Sequence, residues 1–299
     1  MVYHYTTIET LYSILASYKE AEDKEHFTFW ASNALDQNDA EELHYSYEDL
    51  FDTLLKVEKN MEDKGVKLSP KKLSEVINWS ILEYKIPEEV KYEINQHIKN
   101  RDKAPYTLSF SHQEDTLLMW SIYANSGNGI CLVFNEEELS NLKTEMRYIS
   151  NNVRYNRDKN YITDVIELIY DDYLKSIDKE EMLLLNRVYY EGKIYLKIML
   201  ELISPFIKNN AFKDEDEWRI AFPKNNKTKV YTRISGSLNL IHYIKVGLPV
   251  SALQKIIIGP CADYNKVIDL LLKEASDCCI EKMTKPEFYI KSNVPYRIF

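Results

Sequence analysis

The chain has 299 residues, 45% of them hydrophobic and 28% charged, which supplies a real core and excludes a disordered tail. A formal net charge of −9 excludes a uniformly basic nucleic-acid surface, because phosphate binding rests on Lys and Arg. Seven glycines argue against a glycine-rich phosphate loop, whereas 23 tyrosines suit half-buried strands and stacking pockets. Cys131, Cys261, Cys278 and Cys279 lack metal-ligand spacing and are expected to be reduced, mostly buried thiols. The N-terminal Met1-Val2-Tyr3-His4 carries no basic leader, and no stretch approaches the ~18 apolar residues of a membrane helix. A cytoplasmic location is therefore expected.

Residues 2–6 alternate and are β-rich, so they predict a strand. Thr6 or Thr7 then caps a helix whose apolar positions are Ile8, Leu11, Ile14 and Leu15, and Thr6 with Glu9 fits a capping box. Residues 27–31 read as a second strand. Ser32 to Asp39 follows, rich in side chains that bond their own backbone, and reads as a structured loop. Residues 40–58 read as a helix, 69–101 as one or two more, and the Lys- and Glu-rich segment 48–103 as a helical insertion. Strand character returns at 106–111. A helix is predicted over about 114–124, a turn at Ser126-Gly127-Asn128-Gly129, and an apolar strand at 130–134. Residues 161–210 form a second helical block. Strands are expected at 217–223, 228–234, 240–246 and 255–258, a helix at 263–275, and one or two late strands within 279–298. This order predicts an α+β fold: short strands in a central sheet, interrupted by two helical insertions.

Three polar clusters fall at the ends of predicted strands: His4-Tyr5-Thr6, Ser109-Phe110-Ser111, and the acidic run Asp214 to Glu217 followed by Trp218-Arg219. Singly, each also reads as an ordinary cap, strand surface or solvated acidic run. Jointly, they supply what cleavage of a nicotinamide–ribose bond needs. That step builds positive charge on the sugar, which a fixed carboxylate stabilises. A neutral His or a Ser hydroxyl holds ribose or amide groups, and an aromatic ring stacks on nicotinamide. Strand alternation over Glu215-Asp216-Glu217 would put Glu215, Glu217 and Arg219 on one face, with Arg219 free to pair with a carboxylate or a phosphate. Met119 and Trp120, on an apolar helix, read as core anchors, with Trp120 or Tyr123 as the alternative wall of the pocket. The Ser126–Gly129 turn could offer amides to a phosphate, and His112 could enter the same cleft.

The chain resembles the bacterial family catalogued as "domain of unknown function 2971". The resemblance is carried by His4-Tyr5-Thr6 with Leu11 and Ile14-Leu15, Asn33 to Asp39 with Glu41, and Ser109-Phe110-Ser111. Its most specific part is Leu118-Met119-Trp120-Ser121-x-Tyr123 followed by Gly129-Ile130-Cys131 up to Phe134. Glu217-Trp218-Arg219, Ile257-Ile258-Gly259 and Pro295-Tyr296-Arg297 complete it. That family is grouped with ADP-ribosyltransferase-like folds, which implies a split central sheet clamping NAD as substrate. By position, the resemblance makes Glu217 the catalytic carboxylate and His4 a ribose holder. Tyr5, Thr6, Ser109, Phe110, Ser111, Trp120, Arg219, Asn33 and Asp39 would bind the cofactor.

The leading expectation is therefore an ADP-ribosyltransferase or NAD glycohydrolase of a bacterial stress, toxin or phage-defence system, with no metal. NAD or a related nucleotide is the expected partner, and nucleic acid enters only as an acceptor. A non-catalytic nucleotide-sensing or protein-interaction module is the alternative. A metal-dependent nuclease or phosphodiesterase built on Asp36, Asp39 and Glu41 is the third reading. Against it, the same loop reads as an Asx turn and helix N-cap.

Overall fold

The computed structural model describes residues 1–37, 47–68, 72–75, 77, 104–155, 159–177, 202–225, 227–235 and 239–296. No helix among them is long and apolar enough to cross a membrane. Strand β1 (Val2–Thr6) leads into helix α1 (Ile8–Glu20). Thr7 caps that helix, its hydroxyl accepting from the Thr10 amide at 3.1 Å. The cap is thus the second of the two expected threonines: Thr6 stays in the strand, and the position three residues after Thr7 is Thr10, so the Thr6–Glu9 capping box is not the device used. Strand β2 (His26–Asn33) follows, then helix α2 (Tyr47–Asp63) and strand β3 (Tyr106–Ser111).

Helix α3 (Leu117–Tyr123) is shorter than the predicted 114–124, because Asp115 adopts a positive φ of 50° just before it. Strand β4 (Ile130–Phe134) matches its predicted bounds. Helix α4 (Glu136–Ser140) and strands β5 (Ile149–Asn152) and β6 (Arg154–Tyr155) come next, before helix α5 (Lys159–Ile177). Strands β7 (Ile207–Lys208), β8 (Glu217–Phe222), β9 (Tyr231–Ser235), β10 (Asn239–Pro249) and β11 (Leu253–Ile258) lead to helix α6 (Tyr264–Asp277) and strand β12 (Tyr289–Lys291). The late segment thus holds one short strand among the described residues.

Ten strands form one mixed sheet in the order β12-β11-β4-β1-β3-β2-β10-β9, with β8 and then β5 added beside β3. All its pairings are antiparallel except β11 with β12. The sheet forks at β3. One edge of β3 is filled by β8 along its whole length. The other edge is shared: β1 pairs only at Tyr3↔Ser111, and β2 only at Ser32↔Thr107 and Asn33↔Tyr106. Continued inward, both registers would set a partner opposite Ser109, Tyr5 from β1 and Trp30 from β2. One edge cannot hold two strands, so β1 and β2 diverge and leave a gap beside the middle of β3.

Alternation along the strands sorts side chains to two faces. Phe27, Phe29, Ala31, Leu108, Phe110, Trp218 and Ile220 join the main core with Leu11, Ile14 and Leu15 of α1 and Val267, Leu271 and Ala275 of α6. On the other face, Met119 and Trp120 of α3 pack with Tyr3, Tyr5, Cys131 and Ile257. Helices α2 and α5, from the two predicted insertions, share a further core with Phe206 and Ala221 at the far end of β8. The second predicted insertion is not helical to its end. Ile207 and Lys208 form a strand paired with Arg154 and Tyr155, and Asn210–Glu215 is a 3-10 turn.

The fork as a candidate functional site

The gap between β1 and β2 opens into a cavity of about 600 Å³, within the range of small-molecule sites. His4, Tyr5, Thr6, Ser109, Phe110 and Glu217 all line it. The three strand ends picked out in the sequence therefore meet at one hollow.

His4 occupies the crotch of the fork. Its Nδ1 lies 2.9 Å from the Ser109 carbonyl oxygen, which can only accept, so Nδ1 carries the proton and donates. The imidazole thus satisfies a backbone acceptor that the divergence of β1 and β2 removes from the sheet ladder. Its ring also sits edge-on to Phe29 of β2 at 5.7 Å and against Phe110 of β3 at 5.5 Å. Burial lowers the His4 pKa, opposed by the Ser109 carbonyl, and the neutral ring keeps Nε2 as an acceptor.

A network of four charges stands on the β8 side. Arg219 is fully buried and clamps Glu217 bidentately, Nε donating to Oε1 at 2.6 Å and Nη2 to Oε2 at 3.0 Å. Its Nη1 donates to the Pro205 carbonyl at 2.9 Å. Lys208 Nζ donates to Glu217 Oε2 at 3.1 Å and to Glu215 Oε2 at 2.7 Å. The Tyr123 hydroxyl donates to Glu215 Oε1 at 2.5 Å, and the Ser109 hydroxyl favours the ionised form of Glu217. Burial alone would raise the Glu217 pKa, but Arg219, Lys208 and these hydrogen bonds bring it down to about 2. Burial would likewise depress Lys208, and Glu217 and Glu215 outweigh it to hold the ammonium above its ordinary value. Glu217 is a fixed, ionised carboxylate, and two acids and two bases here balance to zero.

The route to this meeting differs from the strand alternation read in the sequence. Glu215 ends a 3-10 turn, and Asp216 sits in the left-handed region at φ 42°. That kink, together with Lys208, brings the two carboxylates together. Lys208, Glu215 and Tyr123 line the cavity with Glu217. Lys208 was missed because its two-residue strand lies inside a block of helical composition.

Four expected ligand-binding residues do not reach the cavity. Trp120 is fully buried, edge-on to Tyr5 at 5.0 Å with its Nε1 donating to Asp115 at 2.7 Å. It is a core anchor because α3 presses its apolar face under β1. Arg219 is consumed by Glu217. Ser111 donates to the Glu215 carbonyl at 2.5 Å, so it braces the acidic turn. Asn33 is buried and caps the following turn through the Leu35 amide at 3.1 Å. Asp39 and Glu41 lie outside the described residues. Asp36 lines the cavity and accepts from the amide and from Nδ1 of His242 at 2.8 and 2.9 Å.

The Ser126–Gly129 turn keeps its amides for itself. Gly127 donates to Trp120 and Ala124, Asn128 to Asn125, and Gly129 to Ala124. His112 turns away to Asn152 at 2.8 Å. Two walls of the cavity went unnoticed in the sequence. Thr10, Ser13 and Ser17 of α1 give it a stripe of hydroxyls at helical spacing. Trp30, Arg233 and Lys245 form its far side on β2, β9 and β10. Trp30 had a legible signal: in 27–32 the apolar residues 27, 29 and 31 face the core, which leaves a tryptophan on the polar face.

Residues 119–220 match the family described as "Protein of unknown function (DUF2971)". The match supports the resemblance over the stretch from α3 to β8. Tyr123, Lys208, Glu215 and Glu217, within the matched stretch, line the charged side of the cavity, with Arg219 clamping Glu217 from behind, whereas His4, Trp30 and Ser109 precede that stretch. No curated protein and no solved structure matches the chain.

Proposed function

We propose that the fork is an ADP-ribosyltransferase-like cleft and that the protein cleaves NAD at the nicotinamide–ribose bond. The observation that carries this reading is the convergence of His4, Ser109 and Glu217 on one cavity at a split in the sheet. In this reading Glu217 faces the ribose. As the bond breaks, its electron pair leaves with the nicotinamide nitrogen, which becomes neutral. The developing cation on the sugar is met by a carboxylate that stays ionised above pH of about 2. Water then supplies a hydroxyl to that carbon and releases a proton, or an acceptor nucleophile takes its place. His4, protonated on Nδ1, accepts a ribose hydroxyl at Nε2. The Ser109 hydroxyl orients the carboxylate.

NAD loss is measured by chromatography for the wild type and Glu217→Gln, with melting temperature as the folding control. The expectation is consumption by the wild type and at least a hundred-fold loss in the variant, the scale of one removed electrostatic stabiliser. Equal rates would take Glu217 out of the mechanism.

A second reading has its own support. Arg219 and Lys208 already balance Glu217 and Glu215, as in a site built to bind without turnover. Calorimetry with NAD and ADP-ribose separates the two: binding with no NAD loss favours a nucleotide sensor.

A further inference from the structure

The far wall of the cavity has a chemistry unlike the Glu217 side. Cross-strand partners share a face, and here the pairs Trp30↔Lys245, Ser32↔Tyr243, Tyr243↔Tyr231 and Ile241↔Arg233 set one row. Ser32↔Thr107 places that row on the same face as Ser109 and Glu217. Within it three rings stack in sequence: Trp30 on Tyr243 with centroids 4.5 Å apart at 26°, and Tyr243 on Tyr231 at 5.5 Å and 23°. The Tyr231 end is covered by cations, Lys229 and Lys245 each lying 5.1 Å from its ring centroid. The Trp30 end is open. Trp30 is 45% exposed and lines the cavity, as do Lys245 and Arg233. No described carboxylate pairs with Lys229, Lys245 or Arg233, and the buried Nε of Arg233 has no partner.

A packed core does not call for this combination. A ring stack ended by an exposed tryptophan, beside cations that no described carboxylate pairs, is complementary to a flat base carrying a phosphate. We infer that Trp30, Lys245 and Arg233 form a subsite for a nucleoside 5′-phosphate, the base extending the stack on Trp30 and the phosphate meeting the two cations. This deepens the reading of the fork as a nucleotide cleft and rests on it for the identity of the rest of the ligand. Two sources carry this chemistry: the adenylate half of the same dinucleotide, or a separate nucleotide that accepts ADP-ribose.

The test uses the full chain and AMP as probe, with nicotinamide mononucleotide and ribose 5-phosphate alongside. Affinity is read by calorimetry and base stacking by quenching of tryptophan emission. The wild type should bind AMP with quenching. Trp30→Leu, an exposed position, should bind AMP about ten-fold or more weakly, the scale of one lost base stack, and lose the quenching. Its affinity for ribose 5-phosphate should be unchanged. Arg233→Gln and Lys245→Gln should each flatten the salt dependence of AMP binding, which keeps the test decisive if Trp30→Leu fails to fold. Competition between AMP and NAD identifies the adenylate half, and simultaneous binding identifies a separate nucleotide. No AMP binding, or unchanged AMP affinity and quenching in Trp30→Leu, overturns the subsite even if NAD is consumed. AMP binding with neither binding nor loss of NAD overturns the NAD reading and leaves the subsite standing.

Discussion

Replacing Glu217 by Gln keeps the shape and a hydrogen-bonding capacity of the side chain while removing its charge. In the folded protein burial opposes ionisation, yet Arg219 and Lys208 hold the carboxyl at about 2, against an ordinary 4.5. A depressed acid contributes stability that is fully present above 4.5 and is lost as pH falls through about 2. The gap, at ~1.36 kcal/mol per pH unit, corresponds to about 3 kcal/mol at neutral pH, of which about 2 is already gone at pH 3. The same size follows independently from the ~3–5 kcal/mol lost when one member of a buried ion pair is removed. Urea unfolding of wild type and Glu217→Gln, in matched buffers from pH 3 to 7, measures the difference. His4 is buried in its neutral form, so it too destabilises the fold as pH drops below 6.5, but it does so in both proteins and cancels. The two stabilities should differ by about 3 kcal/mol at pH 7, and the difference should shrink to about 1 kcal/mol at pH 3. A difference that stays constant with pH would refute the assignment of Glu217 as an ionised partner of Arg219 and Lys208.

Gly259→Ala should be strongly destabilising, by about 3 kcal/mol or more, because the new methyl would meet the Gly127 carbonyl oxygen at 2.3 Å, a backbone atom with nowhere to go; circular-dichroism melting reads it. Gly129→Ala should behave alike, since its methyl would meet the Thr6 carbonyl at 2.3 Å at the mouth of the fork. Titration with a thiol reagent should modify Cys279 rapidly and Cys131 only on unfolding, because Cys279 is exposed while burial pushes the Cys131 thiol far up.

Much of the frame was legible because it is set by local pattern. The bounds of β3 and β4 and the axes of α1 and α6 follow from hydrophobic period and, for α1, from the cap Thr7, whose side chain accepts from the Thr10 amide. The site was legible only in part, because it depends on partners distant in sequence. His4 and Ser109 meet across 105 residues. Nothing local reveals that Arg219 points at Glu217 instead of at a ligand, or that Trp120 lies beneath β1. The short strand of Lys208 has too few residues to show a period at all. The chain around it reads as helix, and its strand character comes from pairing with Tyr155.

The fork itself follows from a conflict of registers. β1 and β2 both present antiparallel edges to the same side of β3, and each is anchored at one end, by Tyr3↔Ser111 and by Ser32↔Thr107. Only the residues between those anchors can be left unpaired, and Ser109 is at their centre. A gap there strands a backbone carbonyl, which must be satisfied within the protein or by water. Histidine at position 4 is the residue of β1 that reaches it, and in doing so commits one ring nitrogen to structure and leaves the other for a ligand. The same gap uncovers the polar face of β2, which explains why Trp30 and Ser32 alternate with core residues and why α1 turns hydroxyls at 10, 13 and 17 toward the opening. His4→Phe therefore tests the architecture as well as the chemistry. The ring would still pack on Phe29 and Phe110, but the Ser109 carbonyl would lose its donor at a cost of about 1–3 kcal/mol. His4→Gln, which can donate to the same oxygen, should recover part of that loss. If Phe and Gln prove equally stable, the carbonyl is satisfied some other way and His4 is not what holds the fork.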